Sequence, residues 1–176
     1  GIGNGTIYNS FLIINDNGEI LNHHRKLVPT FTEKLVYGNG DGAGLKAVET
    51  DIGRIGGLIC WEHWNPLARQ IMHHSGEFVH IALWPTVHEM HQIACRNYAF
   101  EGRCYVIGVG QILKVKDIPS ELKMPENLTD NLDLNMLTGG SCVVGPKGNY
   151  ILEPQFNNEE IIYCNLPDSK ELLKEK

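Results

Sequence analysis

Two apolar runs of strand length, Phe78 to Trp84 (FVHIALW) and Tyr105 to Ile112 (YVIGVGQI), bracket a stretch of helical length and between them fix the fold class. Each run reads as a strand buried on both faces. Residues 88–102 between them read as a helix. Upstream, Arg54 to Cys60 reads as another strand, and Asn65-Pro66 opens a further helix. Asn is a good N-cap, Pro suits the first helical position, and Gly76 supplies a stop. Leu67, Ala68, Ile71 and Met72 are expected to share one core-facing side. Strand, helix, strand, helix, strand is an α/β layered pattern.

The flanks add antiparallel pieces. Tyr8 to Asn15 and Glu19 to His24 read as a hairpin about the turn Asp16-Asn17-Gly18. Val48 to Asp51 pairs with the strand that ends at Cys60. Gly38 to Gly42 is too glycine-rich for helix or strand. The polar stretch Lys114 to Gly140 is expected to be one long loop. Ser141 to Val144 and Tyr150 to Leu152 read as a second hairpin. Ile161 to Cys164 reads as a last strand, and Lys170 to Lys176 as a frayed helix. With 176 residues the chain is expected to form a single domain over 1–176.

Charge narrows the partners. A formal net charge of −6 disfavours nucleic acid and anionic membrane, which both select basic patches. No apolar run approaches the ~20 residues of a membrane span, and from the start at Gly1-Ile2-Gly3-Asn4 no signal peptide is expected. The five cysteines are odd in number and include no CxxC spacing, so a reducing cytoplasm is expected. His88 and His91 have a His-x-x-His spacing, but no third ligand is evident. Neither a metal nor another cofactor is expected.

Cys60 is the leading candidate for chemistry. It ends a strand and precedes a tight segment, Trp61-Glu62-His63-Trp64, and such an elbow presents a side chain at the sheet edge. Read alone, it is also compatible with an ordinary core thiol. A nucleophilic cysteine needs thiolate character, and the next helix begins too far on for its dipole to help. A lysine from elsewhere is the better source, and Lys26, just before the stiffening Pro29, is a candidate. Trp61, Trp64 and Trp84 fit either a substrate wall or core and interface packing.

The runs RKLVPTFTEKLVYGNGDG and GRIGGLICWEHWNPLAR resemble the nitrilase family. HIALWPT, AFEGRCYVIGVGQ and GGSCVVGPKG resemble its later blocks, in the same order. The resemblance implies an α/β chain forming part of a four-layer αββα sandwich. It implies Cys60 as nucleophile and Lys26 as the lysine that stabilises the tetrahedral intermediate. Glu33 then falls on a glutamate that supports the lysine. The Cys-Trp-Glu-His box points to nitriles as the small-molecule substrate. Trp61, Glu62, His63, Trp84 and Pro85 are the candidate pocket residues, and a homo-oligomer is implied.

The family's general-base glutamate falls well upstream of the lysine. Only Glu19 precedes Lys26 here, in an unrelated context, and the role is not assigned to it. The chain is therefore expected to be the C-terminal portion of a nitrilase, with the N-terminal elements of the sandwich missing and with little or no activity by itself. An amidase or carbamoylase of the same superfamily is the alternative enzyme. A non-catalytic fragment that packs with partner subunits is the alternative outside enzymes.

Overall fold

The Asp16-Asn17-Gly18 turn joins β1 (Ser10–Ile14) to β2 (Ile20–Arg25) as an antiparallel hairpin. Asn15 Oδ1 accepts from the amides of Asn17 and Glu19, and Gly18 adopts φ 81°. The turn is thus held by its own side chain and by a left-handed glycine. In this computed structural model, which describes residues 5–167, the hairpin forms a sheet of its own.

The main sheet has seven strands. They are β3 (Val48–Thr50), β4 (Gly53–Ile59), β5 (Val79–Trp84), β6 (Tyr105–Gly110), β7 (Ile112–Lys114), β8 (Asn135–Val144) and β9 (Tyr150–Phe156). Their order is β3-β4-β5-β6-β8-β7, with β9 also paired to β8. The central β4, β5 and β6 are parallel, and β3 and β8 flank them antiparallel. The two parallel crossovers carry α1 (Pro66–His74) and α2 (Glu89–Gly102). Asn65 caps α1 through its side chain, which accepts from the amides of Leu67 and Ala68.

The core lies between the helices and the sheet. Leu58, Ala82, Val106 and Val144 meet Ala68, Met72, Ala94, Tyr98 and Ala99 there. On the other face Val79 and Tyr105 are buried, but Ile55, Phe78, Ile81 and Ile107 only partly. Phe11 of β1 lies over Gly57 on that side. The expectation of strands buried on both faces therefore holds on the helix side, while the hairpin side is thinly covered.

Three further expectations differ from the structure. Ala68 and Met72 are buried, whereas Leu67 and Ile71 are exposed. Each i, i+4 pair is its own stripe about 100° from the next, and only one stripe meets the sheet. Residues 114–140 are not one loop, because Asn135 already begins β8 and pairs with Lys114. Val115–Asp117 forms a 3-10 turn and Glu126–Thr129 a single helical turn. Ile161 to Cys164 is irregular, not a strand, and Ile161 and Tyr163 stand exposed. The helix expected at Lys170 to Lys176 lies outside the described residues.

Gly56 on β4 marks the tightest polar packing. A Cβ there would sit 2.1 Å from Glu77 Oε1 and 2.6 Å from Met72 Cε. The Glu77 carboxyl cannot yield, because His80 Nδ1 lies 2.7 Å from one oxygen and the Tyr98 hydroxyl donates to the other at 2.6 Å. Gly56→Ala is expected to cost about 1–3 kcal/mol by overpacking. Urea denaturation should show a lower midpoint, and an unchanged midpoint would contradict this packing.

Candidate functional site

The carboxyl ends of β4, β5 and β6 come together at one edge of the sheet. Parallel strands leave their crevice there because the helical crossovers leave from the same edge. A cavity of about 330 Å³ occupies it. Ile59-Cys60, Leu83 to Pro85 and Val109 line it from the strand ends, with Gln111 just beyond. Asn9, Ser10 and Glu33 close it from the hairpin side.

Cys60 is the first residue of a 3-10 turn, Cys60–Trp64, that follows β4 directly. Its φ is 55°, a left-handed value that costs a non-glycine residue about 1–2 kcal/mol. The turn sends its side chains in different directions. Cys60 lines the cavity. Trp61 is 57% exposed and borders a separate groove with Leu27 to Phe31. Glu62 and His63 are buried. Of the expected pocket residues, Trp84 and Pro85 line the Cys60 cavity, and Trp61, Glu62 and His63 do not.

Glu62 ties two strands together instead. Its Oε1 accepts from the Leu27 amide at 2.8 Å and its Oε2 from the Ile59 amide at 2.7 Å. His24 Nε2 lies 2.9 Å from Oε2. His24 Nδ1 is buried without a hydrogen-bond partner, so Nε2 carries the ring proton and donates. The carboxylate thus fastens the end of β2, where Lys26 lies, to the end of β4, where Cys60 lies.

Lys26 is 1% exposed. Its Nζ donates to Thr30 Oγ1 at 2.9 Å and to Glu33 Oε2 at 2.5 Å. The Thr30 amide donates to Glu33 Oε2 and Asn9 Nδ2 to Glu33 Oε1. Burial pushes the Glu33 carboxyl up, but the hydrogen bonds from Lys26 and Thr30 and the lysine charge outweigh it, leaving Glu33 below the ordinary glutamate value. Burial pushes the Cys60 thiol up, and the Lys26 charge and the Trp61 amide only partly pull it back. Glu33 and Glu62 push it further up. Lys26 therefore acts in the expected direction, but desolvation is stronger and the resting thiol lies above its usual value.

Glu19 sits at the hairpin turn, where it bonds Asn15. His88 is exposed at the start of α2. His91 Nδ1 lies 2.7 Å from the Thr86 carbonyl, and its ring stacks on Trp84 at 4.5 Å. Among the described residues no group of three or more His, Cys, Asp or Glu side chains converges as a metal site. No described helix is long and apolar enough to cross a membrane.

The cavity residues Asn9, Ser10, Leu83, Val109 and Gln111 were not singled out from sequence, and nothing local marks them. The rim near Gln111 is main chain: Gln111 N donates to Pro85 O, Gly139 N to Gln111 O, and Val87 N to Gly139 O. Gly110 packs so closely that a Cβ on it would meet Gly139 O at 2.0 Å.

Sheet and site together define an α/β protein with a thiol at the carboxyl edge of parallel strands, close to a buried lysine paired with a half-buried glutamate. The family model for carbon–nitrogen hydrolases matches residues 3–171. The chain belongs to the nitrilase family of the carbon–nitrogen hydrolase superfamily. An aliphatic nitrilase of Sinorhizobium fredii is 37% identical over 92% of this chain and 52% of its own length. A bifunctional nitrilase/nitrile hydratase of Lupinus angustifolius is 34% identical over 97% of this chain and 50% of its own. The crystal structure of a carbon–nitrogen hydrolase from Helicobacter pylori G27 matches in fold with a TM-score of 0.73, at 23% identity, over 93% of this chain and 58% of that one. The chain spans about half the length of the curated relatives it matches.

Proposed function

We propose that this chain carries the nucleophile side of a nitrile-hydrolysing site, with Cys60 as the nucleophile. The observation that carries the reading is Cys60 and Glu33 lining one cavity, with Lys26 paired to Glu33, in a member of this family. The Cys60 thiol gives up its proton and its sulfur adds to the nitrile carbon, while the nitrile nitrogen takes a proton, giving a thioimidate. Water adds to form a tetrahedral intermediate. Loss of ammonia leaves a thioester, and a second water releases the acid and regenerates the thiol. Lys26 offsets the negative charge of the tetrahedral steps, and Glu33 holds Lys26 in place.

A thiol raised by burial needs a base to take its proton. No residue of this chain is assigned that role, because Glu33 is already committed to Lys26 and Thr30. The chain alone is therefore expected to turn over weakly or not at all, since a general base contributes about 10²–10⁴ in rate. Assembly as a homo-oligomer and residence in a reducing cytoplasm belong to the same reading. Exposed Leu67 and Ile71 on α1 support the first, and the thiols Cys60, Cys95, Cys142 and Cys164 support the second.

The test is release of ammonia, acid and amide from nitriles and from matching amides, with a Cys60→Ala control. It is run on this chain and on the chain extended upstream. Amide must be followed as well, because a tetrahedral intermediate that expels the thiol yields amide without ammonia. Cys60-dependent conversion of nitriles by the extended form is the expected result. Conversion of amides alone moves the assignment to the amidase branch, and robust turnover by the short chain overturns the need for a further base.

A further inference from the structure

Behind the Cys60 turn lies a dry row of polar side chains that the proposed reaction does not use. His63, His80 and Glu77 are each 2% exposed or less, and Tyr98 beside them is fully buried. His63 Nδ1 lies 2.7 Å from the Cys60 carbonyl oxygen. His63 Nε2 lies 3.0 Å from His80 Nε2. His80 Nδ1 lies 2.7 Å from Glu77 Oε1, and the Tyr98 hydroxyl donates to Glu77 Oε2. The rings are clamped on their faces: His80 stacks on Tyr98 at 3.7 Å, and His63 lies 4.6 Å from Trp84, a wall of the cavity.

The hydrogens of this row can be counted. A carbonyl oxygen only accepts, so His63 Nδ1 carries a hydrogen. Burial and the neighbouring His80 hold His63 well below the usual histidine value, so it is neutral and its Nε2 accepts. His80 Nε2 must then donate. The last contact holds one proton between His80 Nδ1 and Glu77 Oε1. The row therefore points one way, from the Glu77 carboxyl to the Cys60 carbonyl.

We propose that His63 is a positioning residue for Cys60, held in its Nδ1-protonated form by the His80–Glu77 pair so that it clamps the Cys60 carbonyl. The clamp fixes the left-handed backbone that aims the thiol into the cavity. A left-handed non-glycine residue persists only where its surroundings over-determine it. Without the donor, Cys60 relaxes toward the extended conformation of β4 and its sulfur moves away from Lys26. Arg69 Nη1 donates to the His63 carbonyl and steadies the same turn from α1. The catalytic meaning of the clamp rests on Cys60 being the nucleophile, as proposed above; the proton arrangement does not.

Two measurements on the full chain test it, and neither needs turnover. The first is nitrogen-15 NMR of histidine-labelled protein. His63 is expected with a hydrogen on Nδ1 and none on Nε2, and the His63 and His80 ring hydrogens are expected to exchange slowly with water. A His63 protonated on Nε2 only overturns the proposal. The second is alkylation of Cys60 by iodoacetamide, read by peptide mass spectrometry across pH, with the half-buried Cys164, outside the cavity, as the reference. His63→Asn keeps an amide N–H near the Nδ1 position, whereas His63→Gln moves it to the Nε2 position and leaves the carbonyl without a donor.

The Asn variant is expected to alkylate as the wild type does. The Gln variant is expected to alkylate about tenfold more slowly at neutral pH, the equivalent of the left-handed cost, with its profile shifted to higher pH. Equal profiles in two folded variants overturn the positioning role. Should the Gln variant not fold, the tautomer seen by NMR decides alone. A correct tautomer and clamp in a chain whose extended form converts no nitrile would overturn the proposed function and leave this inference standing.

Discussion

Glu62→Ala is expected to destabilise the chain by about 3–5 kcal/mol, because it removes the acceptor of one buried amide, one partly buried amide and a buried histidine. The Leu27 and Ile59 amides and His24 Nε2 all donate to this one carboxylate. Alanine supplies no oxygen, so all three donors lose their acceptor. A domain is held together by only about 5–15 kcal/mol, so the loss takes a large share. Glu62→Gln is expected to cost less, about 1.5–3 kcal/mol, since one of its two ends presents an amide N–H to a backbone N–H. Urea denaturation at constant slope measures both. A cost below about 1 kcal/mol for the alanine variant would show that the carboxylate is not what fastens β2 to β4.

Lys26→Met should have the largest effect on chemistry. In a form of the protein that turns over, loss of this cation is expected to lower the rate by about 10²–10³, the usual consequence of removing one charged or hydrogen-bonding stabiliser of a tetrahedral intermediate. The resting enzyme should change too. Burial already holds the Cys60 thiol above its usual value, and Lys26 is the main influence pulling it down. Without the lysine the thiol rises further. The thiolate fraction at neutral pH then falls, and the alkylation profile of Cys60 moves to higher pH. Lys26→Arg should not rescue, because the guanidinium fork does not fit a site built for a point charge between Thr30 and Glu33. Turnover within threefold of the wild type would remove Lys26 from the proposed mechanism.

The elements that punctuate themselves were legible from sequence. Asp16-Asn17-Gly18 and Asn65-Pro66 place a hairpin and a helix start because each carries its own turn or cap chemistry. Chain adjacency misled at Trp61, Glu62 and His63. A 3-10 turn has about three residues per turn, so side chains next to one another in sequence leave in different directions. Trp61 faces outward, Glu62 reaches to β2, and His63 goes under Cys60. The start of β8 was hidden by Gly139 and Gly140, whose positive φ values interrupt the strand pattern. Ile161 to Cys164 has strand-like residues, but strand propensity describes a fit to neighbouring strands, and among the described residues no strand pairs with this segment. A histidine within the apolar run FVHIALW was the visible trace of the Glu77–His80–His63 row, yet its partners are set by packing between β5, α2 and the Cys60 turn.

The main-chain rim at Pro85, Val87, Gln111 and Gly139 separates two things that most binding sites vary together. On that side the outline of the opening is written in peptide groups, which every residue carries, so drift in side chains leaves it largely unchanged. The side chains of Leu83 and Val109 behind that outline take no part in such bonds and are free to differ in bulk. A lineage built on this frame could change what it admits by exchanging those two side chains while inheriting the doorway intact.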